Sequence, residues 1–390
     1  MSKSGSWFGN LIRSIRAEPV EGIRIQKGLD AAITDPKHVD ALLPHDPEEE
    51  KRWNRQYKEN LGGVHIWVDA RFEANVCPRE KIENFEILGH LGRGAFGHVY
   101  AVKYRVDHRL YALKVLSKAH VFQRSFVPWA ISEKKMLNAV ENKFIVKLHF
   151  AFKDRKNLYM VMDLASRGDL NRLRETSLPE MTVKLIIAQI ILGTEYLHAC
   201  KIVHRDLKPD NIFIFEDCFI KIGDLGLAKR LKGRTYSLAG TIGYMAPEVI
   251  GTAGYGIEVD WWSIGIILYK LVYLKHPFPK QGGTPKQRLA AITGTKLAFP
   301  EVIYPGSSVN DLLRGMLTLS PRFRLGYLKG GSDDIKDHEW FRNISFCEVA
   351  RKAVRVELDL TPLMPVPSEV YEFLPTEKDD DILPHRFLEF

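Results

Sequence analysis

Residues 204–211, HRDLKPDN, decide how the rest of the chain is interpreted. This short loop contains the carboxylate of Asp206, the ammonium group of Lys208 and the carboxamide of Asn211. Asp206 can accept the proton of an attacking hydroxyl, and Lys208 can neutralise charge that develops on a transferred phosphoryl group. Asn211 can offer a hard oxygen ligand to Mg²⁺. The three side chains therefore suit phosphoryl transfer. The loop could also be an ordinary turn, and motifs elsewhere in the chain distinguish the two hypotheses.

Composition and cysteine usage favour a folded cytosolic protein. The chain has 390 residues, 45% of them hydrophobic, so it is long enough for two lobes and too apolar to be disordered throughout. Its four cysteines show no spacing typical of a zinc site, which favours reduced thiols. No apolar run suited to a signal peptide follows Met1, and the most apolar segment, residues 261–274, is short for a membrane span. The net charge of +8 suits acidic partners such as ATP, but no nucleic-acid-binding motif accompanies it.

A glycine-rich turn lies between two predicted strands at residues 92–97, where three glycines form the pattern G-x-G-x-x-G. Glycines let backbone N–H groups approach phosphates closely, and Phe96 at the tip can shield them from water. This pattern alone also suits a Rossmann fold. The motif is followed by a strand rather than a helix, however, and the next strand, YALKV at residues 111–115, carries Lys114.

Together these motifs resemble those of the eukaryotic protein kinases, and the resemblance covers about residues 85–390. It implies an α+β, bilobal fold with a five-stranded small lobe, a helical large lobe, and ATP with Mg²⁺ between them. Residues 229–248 contain the pattern R-T-x-S-L-x-G-T and end in A-P-E. This segment resembles the AGC group, which includes the cyclic-AMP-dependent and ribosomal-protein kinases. The resemblance therefore implies a serine/threonine protein kinase.

The resemblance also implies a nucleotide site. Lys114 would bind the α- and β-phosphates and would be held by an ion pair with Glu133 from the next helix. Met162 would lie beside the adenine base, and residues 163–165 would form the linker between the lobes. The predicted site comprises Leu91, Gly92, Arg93, Gly94, Ala95, Phe96, Gly97, Val99, Ala112, Lys114, Glu133, Met162, Asp163, Ala165 and Asp169.

For catalysis, the resemblance adds the sequence D-L-G at residues 224–226, in which leucine replaces the usual phenylalanine. Asp224 and Asn211 would hold Mg²⁺. Thr241, together with Lys208, favours serine or threonine over tyrosine as the acceptor. The predicted catalytic residues are Asp206, Lys208, Asn211, Asp224 and Thr241.

Ser237 stands where the AGC group is phosphorylated, so we expect an upstream activating kinase. Arg205 and Lys229 would receive the phosphate through charge-assisted hydrogen bonds. Trp129 replaces a phosphate-binding histidine of the cyclic-AMP-dependent enzyme, so one of the usual phosphate contacts is missing.

We expect protein substrates that carry basic residues before the acceptor. Asp169 and Asp210 stand at two positions where the cyclic-AMP-dependent enzyme uses acids to receive substrate arginines. At the third such position Lys270 reverses the charge. This pattern predicts a preference for arginine three residues before the acceptor and no preference for arginine two residues before it. We expect a monomer and no nucleic-acid partner.

The first 81 residues form a predicted N-terminal extension before a kinase domain over residues 82–341. Residues 3–16 have the pattern of a basic amphipathic helix, which can dock on the folded domain, bind an anionic membrane surface or bind a partner protein. A second helix is predicted to start with Asp46 as N-cap and to end near Lys58. Residues 64–68, VHIWV, alternate like a short strand.

Residues 342–390 form a predicted AGC-type tail that ends in F-x-x-F, and its two phenylalanines should fill an apolar pocket beside the helix of Glu133. We expect a cytoplasmic protein, with peripheral membrane attachment as the alternative. A catalytically silent kinase-like scaffold, or a membrane-docked regulatory protein, is the rival functional hypothesis. Leu225 and Trp129 make the silent scaffold conceivable, although no residue needed for phosphoryl transfer is missing.

Overall fold

The computed structural model describes residues 47–93, 97–251, 254–278, 284–300, 303–363, 382 and 384–390. The predictions for the amphipathic helix at residues 3–16, the N-cap Asp46 and the loop tip at residues 94–96 lie outside these ranges.

The described chain folds into a β-rich small lobe and a helical large lobe, which confirms the predicted α+β kinase fold. The strands are β1 (Phe85–Arg93), β2 (Gly97–Tyr104), β3 (Leu110–Ser117), β4 (Leu148–Lys153), β5 (Asn157–Asp163), β6 (Ile202–Val203), β7 (Ile212–Ile214), β8 (Ile220–Ile222) and β9 (Lys229–Arg230). The α-helices are α1 (Pro47–Ala74), α2 (Lys118–Gln123), α3 (Val127–Ala139), α4 (Glu180–Ala199), α5 (Pro247–Ile250), α6 (Glu258–Tyr273), α7 (Pro285–Gly294), α8 (Val309–Met316), α9 (Asp333–Lys336) and α10 (Phe346–Arg351).

The first five strands form an antiparallel sheet in the order β1-β2-β3-β5-β4. One of its faces buries an aromatic cluster in which Phe85 and Phe152 stack at 5.8 Å and Phe152 and Tyr159 stack at 5.0 Å between ring centroids. Such stacking rigidifies a twisted sheet. The register pairs Lys114 with Val99 on β2, which places the lysine at the centre of the sheet beside the glycine-rich turn.

The large lobe is organised around α4 and α6, which are apolar and buried along most of their lengths. None of the helices in the described ranges is both long and apolar enough to cross a membrane. Two short antiparallel strand pairs shape the site. In the β7–β8 pair Ile212 lies opposite Ile222, and in the β6–β9 pair Ile202 lies opposite Arg230. The loops that follow β6 and β8 are therefore fixed at the surface that faces the small lobe.

Helix α1 corrects two predictions. The sequence predicts a helix that ends near Lys58 and a strand over residues 64–68, whereas α1 continues unbroken to Ala74. The apolar residues that pack on the core from this helix recur every three or four positions and are Trp53, Tyr57, Leu61, Val64, Val68 and Phe72. This helical period outweighs the local alternation of residues 64–68 and the low helix propensity of Gly62 and Gly63.

The apolar pattern of residues 145–152 also predicts a strand that starts at Ile145, which is wrong at its start, since β4 begins at Leu148. Ile145 forms an isolated bridge with Ile222 instead, and the N–H of Val146 donates to the Ile222 carbonyl at 2.8 Å. The backbone before β4 is therefore hydrogen-bonded to the β7–β8 hairpin of the large lobe, which prevents it from pairing with β5.

Candidate active site

The ammonium group of Lys114 lies in a buried cluster of charges. Its Nζ donates to the Glu133 carboxylate at 2.6 Å and lies 3.7 Å from Oδ1 of Asp224. Burial acts to lower the pKa of Lys114, but the charges of Glu133 and Asp224 outweigh burial and raise it. The lysine therefore remains charged and is held where it can contact phosphate oxygens.

Asp224 follows the β7–β8 hairpin and has a left-handed backbone with φ of 53° and ψ of 70°. This conformation is uncommon for a residue with a side chain, so the surrounding structure must hold it. The carboxylate accepts the N–H of Gly226 at 3.4 Å. Burial acts to raise the pKa of Asp224, but the charges of Lys114 and His204 outweigh it and lower the pKa. The neighbouring Leu225 is only 1% exposed, so leucine provides the buried apolar contact at this position.

The carboxylate of Asp206 is the meeting point of the catalytic loop and the activation segment. Its Oδ1 accepts the backbone N–H and the hydroxyl of Thr241 at 2.8 and 2.7 Å. Its Oδ2 accepts from Lys208 Nζ at 2.9 Å and from Asn211 Nδ2 at 3.2 Å. Lys208 also donates to Thr241 Oγ1 at 2.8 Å. A proton acceptor, a cation and a hydroxyl group thus converge within one hydrogen-bonded set.

A buried carboxylate on α6 holds the start of this loop. Asp260 accepts the backbone N–H groups of His204 and Arg205, both at 2.9 Å, and its Oδ2 also accepts from His198 Nε2 at 2.8 Å. Arg205 has a φ of 68°, and these bonds stabilise that conformation. Sequence reasoning missed His198, although a polar residue in the last turn of the apolar helix α4 was an available signal.

Mg²⁺ fits the donor set offered by Asn211 and Asp224. The Nδ2 group of Asn211 donates to the Asp206 carbonyl oxygen at 2.8 Å as well as to its carboxylate, so Oδ1 is the atom left to ligate a cation. The Asp224 side chain is 42% exposed and supplies a hard carboxylate oxygen. Within the described ranges no group of three or more His, Cys, Asp or Glu side chains could hold a metal. Two protein ligands completed by phosphate oxygens and water suit Mg²⁺.

The predicted hinge between the lobes lies at the end of β5, where Met162 pairs with Ala112 on β3. The side chain of Asp163 is not available to bind a ligand, because its carboxylate accepts hydrogen bonds from His149 at 2.7 Å and from Lys221 at 2.6 Å. Burial acts to raise the pKa of Asp163, but the His149 hydrogen bond and the Lys221 charge outweigh it and lower the pKa to about 2. The Asp163 carboxylate therefore anchors the hinge to both lobes, which leaves only its backbone for a nucleotide.

The glycine-rich turn is described only at its two ends, with Leu91, Gly92 and Arg93 on β1 and Gly97 on β2. Its tip, the predicted Gly94, Ala95 and Phe96, lies outside the described residues. A Cβ atom at Gly97 would lie 1.9 Å from the Val115 carbonyl oxygen. Gly97 is therefore required for the close approach of β2 and β3, in addition to any contact with phosphate.

Ser237 is exposed on the activation segment, and its Oγ accepts from Arg205 Nη1 at 2.7 Å. Lys229 does not reach Ser237 but donates to Thr235 Oγ1 at 2.9 Å, and that oxygen lies 3.3 Å from Ser237 Oγ. The predicted pair of cations is thus present, with Thr235 between Lys229 and the serine. Trp129 contributes its ring, whose centroid lies 6.0 Å from the Arg205 guanidinium carbon.

The three predicted substrate residues occupy different environments. Asp210 is exposed, and Asp169 is half-buried with Oδ1 accepting the Asn171 N–H at 2.9 Å. Lys270 donates to the Tyr244 hydroxyl at 2.6 Å, a contact that the sequence did not reveal. Burial lowers the pKa of Lys270, and the Asp210 carboxylate acts against this shift. The Lys270 ammonium group is therefore held by the Tyr244 hydroxyl, and the charge of Asp210 favours its protonated form.

Comparison with known proteins agrees with this geometry. Residues 85–341 match the protein kinase domain family. The chain is 37% identical over 265 residues to cAMP-dependent protein kinase type 3 of Saccharomyces cerevisiae, covering 67% of this chain and 66% of the yeast protein. It is 38% identical over 278 residues to a probable serine/threonine-protein kinase of Dictyostelium discoideum, covering 70% of this chain.

A third relative, a cAMP-dependent protein kinase, catalytic subunit-like protein of Caenorhabditis elegans, is 31% identical over 344 residues and covers 87% of this chain and 83% of its own length. The Dictyostelium relative is matched over only 60% of its length, and the chain spans about half to two thirds of several others. The matching family model and the active-site geometry together show that the chain belongs to the protein kinase family.

Proposed function

We propose that this chain is a serine/threonine protein kinase, which transfers the γ-phosphoryl group of ATP to hydroxyl groups of protein substrates. One observation carries the proposal: Asp206, Lys208 and Thr241 form a single hydrogen-bonded set, beside the ion cluster that contains Lys114 and Asp224. A silent scaffold would not need to keep every one of these groups in place.

Each side chain has a distinct role in this reaction. Lys114 binds the phosphates that are not transferred, and Asp224 and Asn211 would hold Mg²⁺, which neutralises charge on the phosphate oxygens. The carboxylate of Asp206 orients the substrate hydroxyl and accepts its proton as the oxygen attacks phosphorus. Lys208 stabilises charge on the transferred group. A substrate hydroxyl that binds the Asp206 carboxylate would compete with the two hydrogen bonds that Thr241 donates to Oδ1.

The test is transfer of labelled γ-phosphate to a basic peptide by the purified chain. We expect transfer by the wild type and a loss of at least about a hundredfold in Asp224→Ala, since a ligand for the metal is removed. Asp359→Ala, which changes an exposed aspartate, is the matched control and should retain full activity. Wild-type protein that binds ATP but transfers no phosphate would support the scaffold hypothesis instead.

The proposed substrates carry an arginine three residues before the acceptor, where Asp169 would receive it. An arginine two residues before the acceptor would meet Lys270, and close like charges in a partly desolvated groove cost on the order of 1 kcal/mol. The hydrogen bond from Lys270 to Tyr244 supports this reading because it holds the ammonium group in place. A peptide array should show selection at the third position, and Lys270→Glu should create selection at the second. Strong wild-type selection for arginine at the second position would contradict the proposal.

We further propose a cytoplasmic protein, which the scattered unpaired cysteines support. Cell fractionation of the full chain and of a chain that lacks residues 3–16 tests this location. Recovery of both proteins in the soluble fraction is the expected result. A membrane-bound full chain that becomes soluble on deletion would instead assign residues 3–16 to membrane attachment.

A further inference from the structure

The C-terminal end of α1 is fastened to α3, the helix that carries Glu133. Arg71 donates to the Asn138 carbonyl oxygen at 2.8 Å and forms an ion pair with Glu141 at 3.2 Å. In return, Asn138 Nδ2 donates to the Val76 carbonyl oxygen at 2.9 Å. The segment that follows α1 therefore lies directly against the outer surface of α3.

Asn75 closes α1 in a left-handed conformation, with a φ of 49° and its N–H donating to the Arg71 carbonyl oxygen at 2.9 Å. Its amide then joins two other parts of the chain. The Oδ1 atom accepts from Lys134 Nζ at 2.6 Å, and Nδ2 donates to the Glu389 carbonyl oxygen at 2.7 Å. A lysine can only donate and a carbonyl can only accept, so these partners fix which end of the amide faces each of them.

Lys134 Nζ also donates to the Glu389 carbonyl oxygen at 3.2 Å. The side chains of Asn75 and Lys134 and the Glu389 carbonyl group are therefore joined by a closed ring of three hydrogen bonds. The side chain of Lys134 is buried, with the residue 3% exposed, and a buried ammonium group needs such partners. The Glu389 carboxylate in turn pairs with Lys135 on the next position of α3. One asparagine amide thus holds α3 to both α1 and the end of the chain.

The ring lies on a different side of α3 from the ATP-binding surface. Neighbouring residues on a helix point about 100° apart, so Lys134 faces the ring while Glu133 faces Lys114. A rotation of α3 that broke the ring would also withdraw Glu133 from Lys114, which it contacts at 2.6 Å. The ring and the ion pair are therefore two contacts of the same rigid element.

We propose that Asn75 is a positioning residue for phosphoryl transfer, which fixes the rotation of α3 and thereby the contact between Glu133 and Lys114. This inference rests on the proposed function, and it extends the working enzyme to residues before the family match at 85–341. The N-terminal extension, through Asn75, and the C-terminal segment, through Glu389, would therefore position α3 together, since both contact the same amide.

The test uses the full chain and its Asn75→Gly variant. Glycine suits a φ of 49°, so the variant removes the amide without adding backbone strain. Arg351→Gln is the control. It removes an ion pair between Arg351 and Glu49, and Glu49 lies at the opposite end of α1 from Asn75. Each protein is measured for Mg·ATP affinity, for KM and kcat with a basic peptide, and for hydrogen exchange of α3 amides.

We expect Asn75→Gly to raise the Kd and KM for ATP about tenfold, the effect of losing a hydrogen bond to a buried charge. Amides of α3 should exchange about tenfold faster, whereas those of α4 and the Arg351→Gln variant should match wild type. Wild-type ATP affinity and α3 exchange in Asn75→Gly would overturn the inference, as would equal losses in Arg351→Gln. Affinity and exchange need no turnover, so they test Asn75 even if the chain transfers no phosphate.

Discussion

Arg205 of the catalytic loop donates a hydrogen bond to Ser237 of the activation segment, with Nη1 of the arginine 2.7 Å from the serine hydroxyl oxygen. The same arginine follows His204 in the catalytic loop, and its backbone N–H is held by Asp260. A change in charge at Ser237 therefore acts on a residue adjacent to the catalytic Asp206.

Phosphorylation of Ser237 should raise activity. A phosphate would attract both Arg205 and Lys229 and would order the segment between them. We expect Ser237→Ala protein purified from cells to have several-fold lower kcat/KM than wild type. The effect should be smaller than in the enzyme it resembles, because Trp129 has a neutral indole ring in place of an ionisable histidine. Phosphatase-treated wild type is the control and should match the variant. Full activity of Ser237→Ala protein would show that this switch does not exist.

Asp206→Asn should lower kcat by about 10² to 10⁴, because the positioned proton acceptor is lost. ATP affinity should change little, since the Asp206 carboxylate contacts Lys208, Asn211 and Thr241, whereas Lys114 contacts Glu133 and Asp224. Steady-state kinetics and nucleotide titration make the two measurements. Asp217→Asn on the neighbouring β7–β8 turn is a matched control with an expected wild-type kcat. An unchanged rate in Asp206→Asn would remove this residue from the proposed mechanism.

Phe387 at the end of the chain should matter far more than its neighbour Leu388. The Phe387 side chain is 0% exposed beside Lys118, whereas Leu388 is 71% exposed. Truncating a buried phenylalanine costs about 3 to 5 kcal/mol, so Phe387→Ala should lower the melting temperature by several degrees and reduce activity. Leu388→Ala should leave both quantities unchanged. Deletion of residues 387–390 should reproduce the Phe387→Ala result, and a fully active truncation would refute a role for this segment.

His276 should make stability depend on pH. Its Nε2 lies 2.9 Å from the Gly243 carbonyl oxygen, and its Nδ1 lies 2.9 Å from the Phe278 carbonyl oxygen and 3.1 Å from the Phe278 backbone nitrogen. Burial, with the charge of Arg288 nearby, lowers the pKa of His276 from 6.5 to about 4. As the pH falls, the unfolded chain therefore binds a proton at this histidine at a higher pH than the folded chain does. The contribution of neutral His276 to the free energy of unfolding is complete above pH 6.5 and is lost as the pH falls toward 4.

The loss amounts to at most about 3.5 kcal/mol, since each pKa unit corresponds to about 1.4 kcal/mol. Denaturant unfolding at about pH 7 and about pH 5 measures it. His276→Gln should be less stable than wild type at the higher pH, and the difference should narrow at the lower pH. His385→Gln, at an exposed histidine, should follow wild type at both values. A difference between His276→Gln and wild type that does not vary with pH would contradict a neutral buried His276.

The sequence predicted which candidate catalytic side chains lie together, because they are close along the chain. Asp206, Lys208 and Asn211 lie in one loop, and their spacing along the chain already limits how far apart they can be. Lys114 and Glu133 required only that a strand and the next helix be recognised, and both appear at the predicted positions. The roles proposed for these residues remain predictions until they are measured.

The contacts that were missed join distant segments. Asn75 and Glu389 are separated by 314 positions; Asn75 belongs to no recognisable motif, and Glu389 occupies an unspecified position of F-x-x-F. The length of α1 was missed because the four apolar residues among positions 64–68 fit a strand locally, whereas the helical stripe becomes visible only over the whole length of the helix. Lys229 was assigned to Ser237 because hydroxyl groups two positions apart cannot be distinguished without the backbone path of the segment.

Gly62 and Gly63 stand in the middle of α1, both exposed, with open space where a side chain would be. Each lowers helix stability by about 1 kcal/mol relative to alanine, so the midpoint of α1 is its weakest turn. Breathing at this turn would uncouple the half that carries Trp53 and Tyr57 from the half that carries Asn75.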